Sequence, residues 1–306
     1  MDMERISPTS GFVAGFLMPH PPIILSEIAK GREREASATV NACYRVAARI
    51  AEIRPEIIVV TSPHAPLFAD FLFIYDRPVL GGSFAKFGEP SLRFSFSGEH
   101  GFVEEFTTRL AALGIPAGLP SAETIASHGL DLELDHGALV PLSFVLSEHR
   151  DFGLVCASPS AFESERVLEI GHVLSDVARA SGRRVCLIAS GDMSHRVNAE
   201  SPYGMVAGGA EFDALIARAI DNSEPERILA IDQDLREKAA ECGYNSLVML
   251  LGALGFDRER DSRPEPADAS PGVALEPASS KLYSYEAPFG IGYCVAEFSP
   301  ARKRES

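Results

Sequence analysis

Apolar residues run almost unbroken through GFVAGFLM (Gly11–Met18) and EIIVVTS (Glu56–Ser62), and again through DFGLVCAS and RRVCLIAS. Runs this short, rich in Val, Ile and Leu, predict strands buried on both faces. Between the first two, Val40, Cys43, Tyr44, Ala47 and Ile50 recur at intervals of three and four, which predicts a helix over about 33–53. Pro55 then stops the helix, because proline removes a backbone donor and clashes with the preceding turn. Strand, helix and strand in this succession form the unit of a parallel sheet.

The same reading continues along the chain. Helices are expected over Glu99–Leu113 (closed by Gly114), Leu134–Leu146 after an opening turn, Ser164–Ala180, Phe212–Ile220, Pro225–Gln233 and Asn245–Leu254 (closed by Gly255). Val79–Gly98, rich in Gly, Phe and Pro, reads as a loop or an antiparallel excursion. Residues 257–281 hold Pro264, Pro266, Pro271 and Pro277 among charged and small residues, and read as a Pro-rich loop or disordered insertion. Ser284–Phe298 returns as one strand. The expected fold is α/β: a single domain over residues 11–298, with a central mostly parallel or mixed sheet flanked by helices. Residues 1–10 and 299–306 are expected to be flexible tails.

Composition narrows the function. With 306 residues the chain can bury a large core without disulfides. No apolar run approaches the roughly 20 residues of a membrane span. The N-terminus lacks a cationic stretch followed by an apolar one, so no secretory signal is expected. Lys and Arg number 28 against 43 Asp and Glu, a net charge of −15. That surplus of acid opposes a nucleic-acid partner, since no basic excess exists to displace counterions. The five cysteines are far apart and form no CxxC pair, which removes zinc ribbons and iron–sulfur clusters and suits a reducing cytoplasm. Cys186, inside RVCLIAS, reads as a core thiol.

Chemistry concentrates on the histidines. His20 in MPHPP and His64 in SPHAP each follow a strand and stand between prolines that fix the backbone. Ligands of open parallel sheets bind beyond the carboxyl ends of strands, where two such imidazoles can converge on a metal; a strand-capping hydrogen bond is the alternative for either alone. His195 in ASGDMSHR follows a third strand and suits proton transfer, with Asp192 as a helix cap or a site residue. His136 in LDHGALVPL follows Asp135, which can cap a helix, and precedes Gly137, which permits close approach or positive φ. Its imidazole can hold a substrate oxygen or bound dioxygen. His128 is a weaker candidate of the same kind, and His100, His149 and His172 read as solvated. Two imidazoles need a carboxylate to complete a facial triad. Glu241, in EKAAECGYNSL, is the best supplier, ahead of Asp192 and Glu27, with Cys242 as a soft alternative next door.

MPHPPI, SPHAP, DHGALVPL, ASGDMSHR and AAECGYNSL, in this order, resemble the class III extradiol dioxygenases of the LigB-type catalytic-subunit superfamily, near its Memo-like branch. The resemblance runs from about Phe12 to Glu297. It implies Fe(II), with Zn or Mn as alternatives, held by His20, His64 and Glu241. It implies His195 as the acid/base residue and His136 as a substrate- or oxygen-binding group; Asp192 is a further candidate for substrate binding. The implied reaction is extradiol cleavage of a catecholic or related ring by dioxygen. The competing readings are a Memo-like metal-binding or redox protein without ring cleavage and a zinc-dependent hydrolase on the same site. A small aromatic substrate, dioxygen and a second copy of the chain are the expected partners.

Overall fold

The central sheet has six strands: β1 (Gly11–Met18), β2 (Ile57–Thr61), β3 (Gly153–Ala157), β4 (Arg184–Ser190), β5 (Ser279–Glu286) and β6 (Tyr293–Ser299). They are seen in a computed structural model that describes residues 10–256, 275–276, 278–300 and 302–303. The order across the sheet is β5-β6-β1-β4-β2-β3. The four strands from β1 to β3 are parallel, while β6 runs antiparallel to β1 and to β5. The expected single α/β domain with a mixed central sheet is therefore what the chain forms.

Both faces of the sheet are covered, which is why its strands read as continuous apolar runs. Six helices do most of the covering: α1 (Ser37–Ile53), α2 (His100–Ala112), α3 (His136–Val145), α4 (Ser164–Ala180), α5 (Ala207–Asp221) and α6 (Tyr244–Leu254). Val185, Leu187 and Ala189 of β4 join one core, with Leu174 of α4, Ile216 of α5 and Leu250 of α6. Cys186 and Ile188, on the opposite face, join the other, with Val46 and Ile50 of α1 and Leu139 of α3. Each fully buried Leu, Ile or Val contributes about 1.5–3 kcal/mol relative to exposure. Among the described residues no helix is long and apolar enough to cross a membrane.

Several expectations shift. Tyr44 is about half exposed and lies edge-on to Phe144, because α1 buries Thr39, Ala42 and Val46 along with Cys43, Ala47 and Ile50. The helix expected over Pro225–Gln233 is a 3-10 turn (Pro225–Ala230) followed by a separate helix, Gln233–Ala239, which Asp232 caps. Ser284–Phe298 is not one strand: the chain turns at Gly290, where φ is +73°, and returns as β6. Residues 257–274 and 277 of the Pro-rich loop, 1–9 and 304–306 of the tails, and 301 lie outside the described residues. Ser279–Lys281 belongs to β5, and Arg302–Lys303 pairs with Leu275–Glu276, so those parts are strand and not loop or free tail.

Both sheet edges are occupied at particular points. Along β3, Tyr75 N–H donates to Cys156 C=O and Glu99 N–H to Leu154 C=O. These bonds come from the excursion 72–99, whose antiparallel hairpin (Val79–Phe84 with Glu89–Ser97) matches the expectation. Along β5, the Ser223 hydroxyl donates to Ser280 C=O at 2.9 Å and accepts from Ser280 N–H at 3.2 Å.

Candidate metal centre

Strand register brings the histidine loops to one edge of the sheet. Met18 lies level with Ser190, and Thr61 with Ala189, so the chain leaving β1, β2 and β4 emerges at the same place. There the His20 and His64 Nε2 atoms stand 3.0 Å apart, and the Cys242 Sγ lies 3.6 Å from His20 Nε2. All three donor atoms fall within 4.8 Å of one another. Ligands bonded at about 2.0–2.3 Å to one ion have separations of this order. His195 Nε2 is 3.9 Å from the same Sγ, and the His136 ring lies 4.2 Å from that of His64. His20 and Cys242 are shielded while His64 is exposed, so the cluster opens to solvent on the His64 side.

Neighbouring groups fix how each donor points. The Ser190 hydroxyl donates to Gly137 C=O at 2.5 Å, which commits its only proton. Its oxygen can then only accept from His20 Nδ1 at 2.9 Å. This sets the His20 tautomer: Nδ1 carries the hydrogen, and the Nε2 lone pair faces His64 and Cys242. Asp192 is the junction between two ligand loops. Its Oδ1 accepts the His20 N–H at 3.0 Å, and its carbonyl accepts Gly243 N–H at 3.1 Å and Cys242 N–H at 3.4 Å. No helix follows Asp192, so it caps none. Asp135 does cap α3, accepting Gly137 N–H at 2.7 Å, and also receives the Ser62 hydroxyl at 2.6 Å. Gly137 serves close approach, not positive φ: a Cβ there would meet Ser62 Oγ at 2.2 Å.

The His195 loop is held by a buried carboxylate. Asp213 accepts Ser194 N–H and the Tyr285 hydroxyl, each at 2.7 Å. His195 N–H donates to Ala239 C=O, its carbonyl accepts the Ser201 hydroxyl, and its ring stacks on exposed Tyr203.

Burial sets the protonation states. It holds the imidazoles of His20, His64, His136 and His195 below the ordinary value of 6.5, His136 down to about 4. Mutual repulsion among the histidines adds to the effect for His20, His136 and His195. Neutral imidazole is the form that binds metal. Burial also pushes the Cys242 thiol well above its usual range and Asp192 up to about 7. An ion at this place would supply the positive charge a buried thiolate needs. The donor set, two neutral imidazoles with one fixed lone pair and a thiol, therefore fits a metal.

Glu241, the expected third donor, is placed elsewhere. Its Oε2 accepts Tyr244 N–H at 2.7 Å. The first amides of α6 have no partners within the helix and lie at its positive end, so they attract the carboxylate. With Glu241 turned to the helix, Cys242 faces the histidines. Glu27 is exposed on a short helix, and His128 bonds Thr124 C=O outside the cluster. His100 pairs with Asp76, whereas partly buried His149 bonds Pro55 C=O and is not free in solvent. The reading from sequence missed Ser190, Ser62 and Asp213. The first two are hydroxyls at strand ends, a weak signal that becomes legible only once the strands are paired.

The family model for the catalytic LigB subunit of aromatic ring-opening dioxygenase matches residues 14–270. The chain belongs to the LigB family. This family includes dioxygenases and Memo-like proteins and is metal-dependent, in keeping with the cluster described above. Protein CA_C1420 of Clostridium acetobutylicum is 27% identical over 284 residues, 92% of this chain and 56% of that protein. A MEMO1 family protein of Methanosarcina mazei is 28% identical over 120 residues, 39% of this chain and 42% of that protein. The chain thus spans about half the length of these relatives. An uncharacterized protein, JW3007 from Escherichia coli K12, shares the fold with a TM-score of 0.56 at 15% identity, covering 93% of this chain and 99% of that one.

Proposed function

We propose that this LigB-family chain is a Memo-like metalloprotein whose His20, His64 and Cys242 hold zinc or copper(I). The observation that carries the reading is the thiol of Cys242 grouped with the paired imidazoles, 3.6 Å from His20 Nε2, while the nearest carboxylate oxygen, Asp192 Oδ2, lies farther off at 4.0 Å. Thiolate ligands select soft and borderline metals, whereas an Fe(II) facial triad uses a carboxylate. Bound there, the metal would supply Lewis acidity or one-electron chemistry. The chain's own residues do the rest. Ser190 and Asp192 hold His20, Asp192 also holds the Cys242 loop, and neutral His195 accepts or returns a proton beside the sulfur. A ring-cleaving dioxygenase using Fe(II) is the second reading. It is favoured by His136 and His195, two neutral imidazoles flanking the donors where a substrate and dioxygen would enter.

The test is metal analysis of protein purified anaerobically, with Cys242→Ser and Glu241→Ala beside the parent, and an oxygen-uptake screen over simple catechols. Zinc or copper(I) in the parent, lost in Cys242→Ser and kept in Glu241→Ala, is the expected result. Iron retained by Cys242→Ser, together with catechol-dependent oxygen uptake, would overturn it in favour of ring cleavage.

A further inference from the structure

A second concave site lies at the other end of the sheet, where β5 pairs Ser279 with Ser299 of β6 and faces α1. This cleft of about 560 Å3 is far from the metal centre, because β6 is antiparallel to β1 and Ser299 lies towards the start of β1. Its walls hold three cations, Arg45, Arg49 and Lys281, in a chain whose net charge is −15. Arg49 is paired: it donates to Glu297 and to Glu52, each at 3.0 Å, and the two carboxylates, which also line the cleft, outweigh its charge by one. Buried Glu297 has both oxygens engaged, since the second accepts the Tyr283 hydroxyl at 2.7 Å. Arg45 and Lys281 are different. Among the described residues neither meets a carboxylate, and both lie against the Tyr283 ring, at 4.3 and 5.2 Å from its centroid. The ring is anchored through its hydroxyl and carries both cations, with Ser279 and Ser299 also lining the cleft.

We propose that this cleft binds a phosphate dianion, free or as the end of a small phosphate ester. The lining carries one more positive than negative charge, and its two cations without a carboxylate partner, Arg45 and Lys281, are the groups that face the anion. A guanidinium fork, an ammonium and hydroxyls supply the many donors that a phosphate's oxygens accept. The volume lies within the range of small-molecule sites and exceeds what a lone phosphate fills. Because Tyr283 and Arg49 are already held by Glu297, the ordering cost of binding falls on Arg45 and Lys281.

The experiment is calorimetric titration of the full chain at low ionic strength, above about pH 7.5 where phosphate is doubly charged. Inorganic phosphate and adenosine monophosphate are the probes, with chloride at matched ionic strength as control. Saturable binding is expected, weakened at least about tenfold in Arg45→Ala and in Lys281→Ala, as for loss of a charge-assisted contact. Both side chains are exposed, so the unliganded variants should melt like the parent. Tighter binding of the nucleotide identifies an ester as the ligand; equal or tighter binding of inorganic phosphate identifies the free anion. Absence of saturable binding by either probe, or alanine variants that bind as tightly as the parent, would overturn the proposal.

Discussion

Gly191→Ala tests whether the metal centre depends on backbone contact between the strand ends and the Cys242 loop. A Cβ at position 191 would lie 2.1 Å from Gly243 Cα and 3.1 Å from Gly243 N. Ordinary contact is about 3.5–4.0 Å, so one segment must move by well over 1 Å. The atom in the way is backbone and cannot rotate aside. Movement would stretch the 3.1 Å bond from Gly243 N–H to Asp192 C=O and carry Cys242 away from His20. Metal sites hold distances to within about 0.2 Å, and loss of supporting contacts typically costs 10–100-fold in affinity. Overpacking should also destabilise the apoprotein by about 1–3 kcal/mol. Zinc affinity is read by competition with a chromophoric chelator, and apo stability by urea denaturation. Gly101→Ala is the control: its Cβ meets nothing within 4 Å, in helix α2, so affinity should be unchanged. If Gly191→Ala bound zinc like the parent with apo stability within about 0.5 kcal/mol, the reasoning would be refuted.

Three further outcomes are expected. Ser190→Ala removes the acceptor that sets the His20 tautomer, so zinc affinity should fall about tenfold or more with the fold retained; affinity equal to the parent's would show that the tautomer is set elsewhere. Glu241→Gln keeps an oxygen for the Tyr244 amide and should match the parent in urea melts, whereas Glu241→Ala should lose about 1 kcal/mol. Asp213 has its carboxyl pushed from 3.8 up to about 7 by burial. The folded state then holds a proton that the unfolded state has released, so this group's contribution to stability falls as pH rises from about 4 to about 7 and is level above. The span is at most about 4 kcal/mol, at 1.36 kcal/mol per unit. Asp213→Asn cannot titrate, so its stability relative to the parent should improve over that window; parallel pH profiles for the two would contradict the account.

The parallel sheet and the two histidine loops were legible because their signals are local. Unbroken Val/Ile runs mark strands covered on both faces, and prolines around His20 and His64 mark where those strands stop. Which of two neighbouring side chains faces the histidines was not legible. Glu241 and Cys242 are neighbours, and which one turns inward depends on where α6 begins and on the bond from Gly243 N–H to Asp192 C=O, some fifty residues away in sequence. A carboxylate just before a helix has two good partners, a metal and the helix amides, and sequence does not weigh them. Tyr44 failed for a related reason: spacing fixes a helical face to within one position, and packing against α3 decided which edge of that face stayed wet.

The bond pair between Ser223 and Ser280 bears on whether the sheet can accept a further strand. An exposed edge strand is an invitation to a neighbouring chain, and strand addition of that kind is the route to fibrils and swapped dimers. Here one hydroxyl already occupies both the donor and the acceptor of Ser280, and the excursion 72–99 does the same along β3. A foreign strand would have to break those bonds before making its own. The sheet is closed to growth at these points without being a barrel.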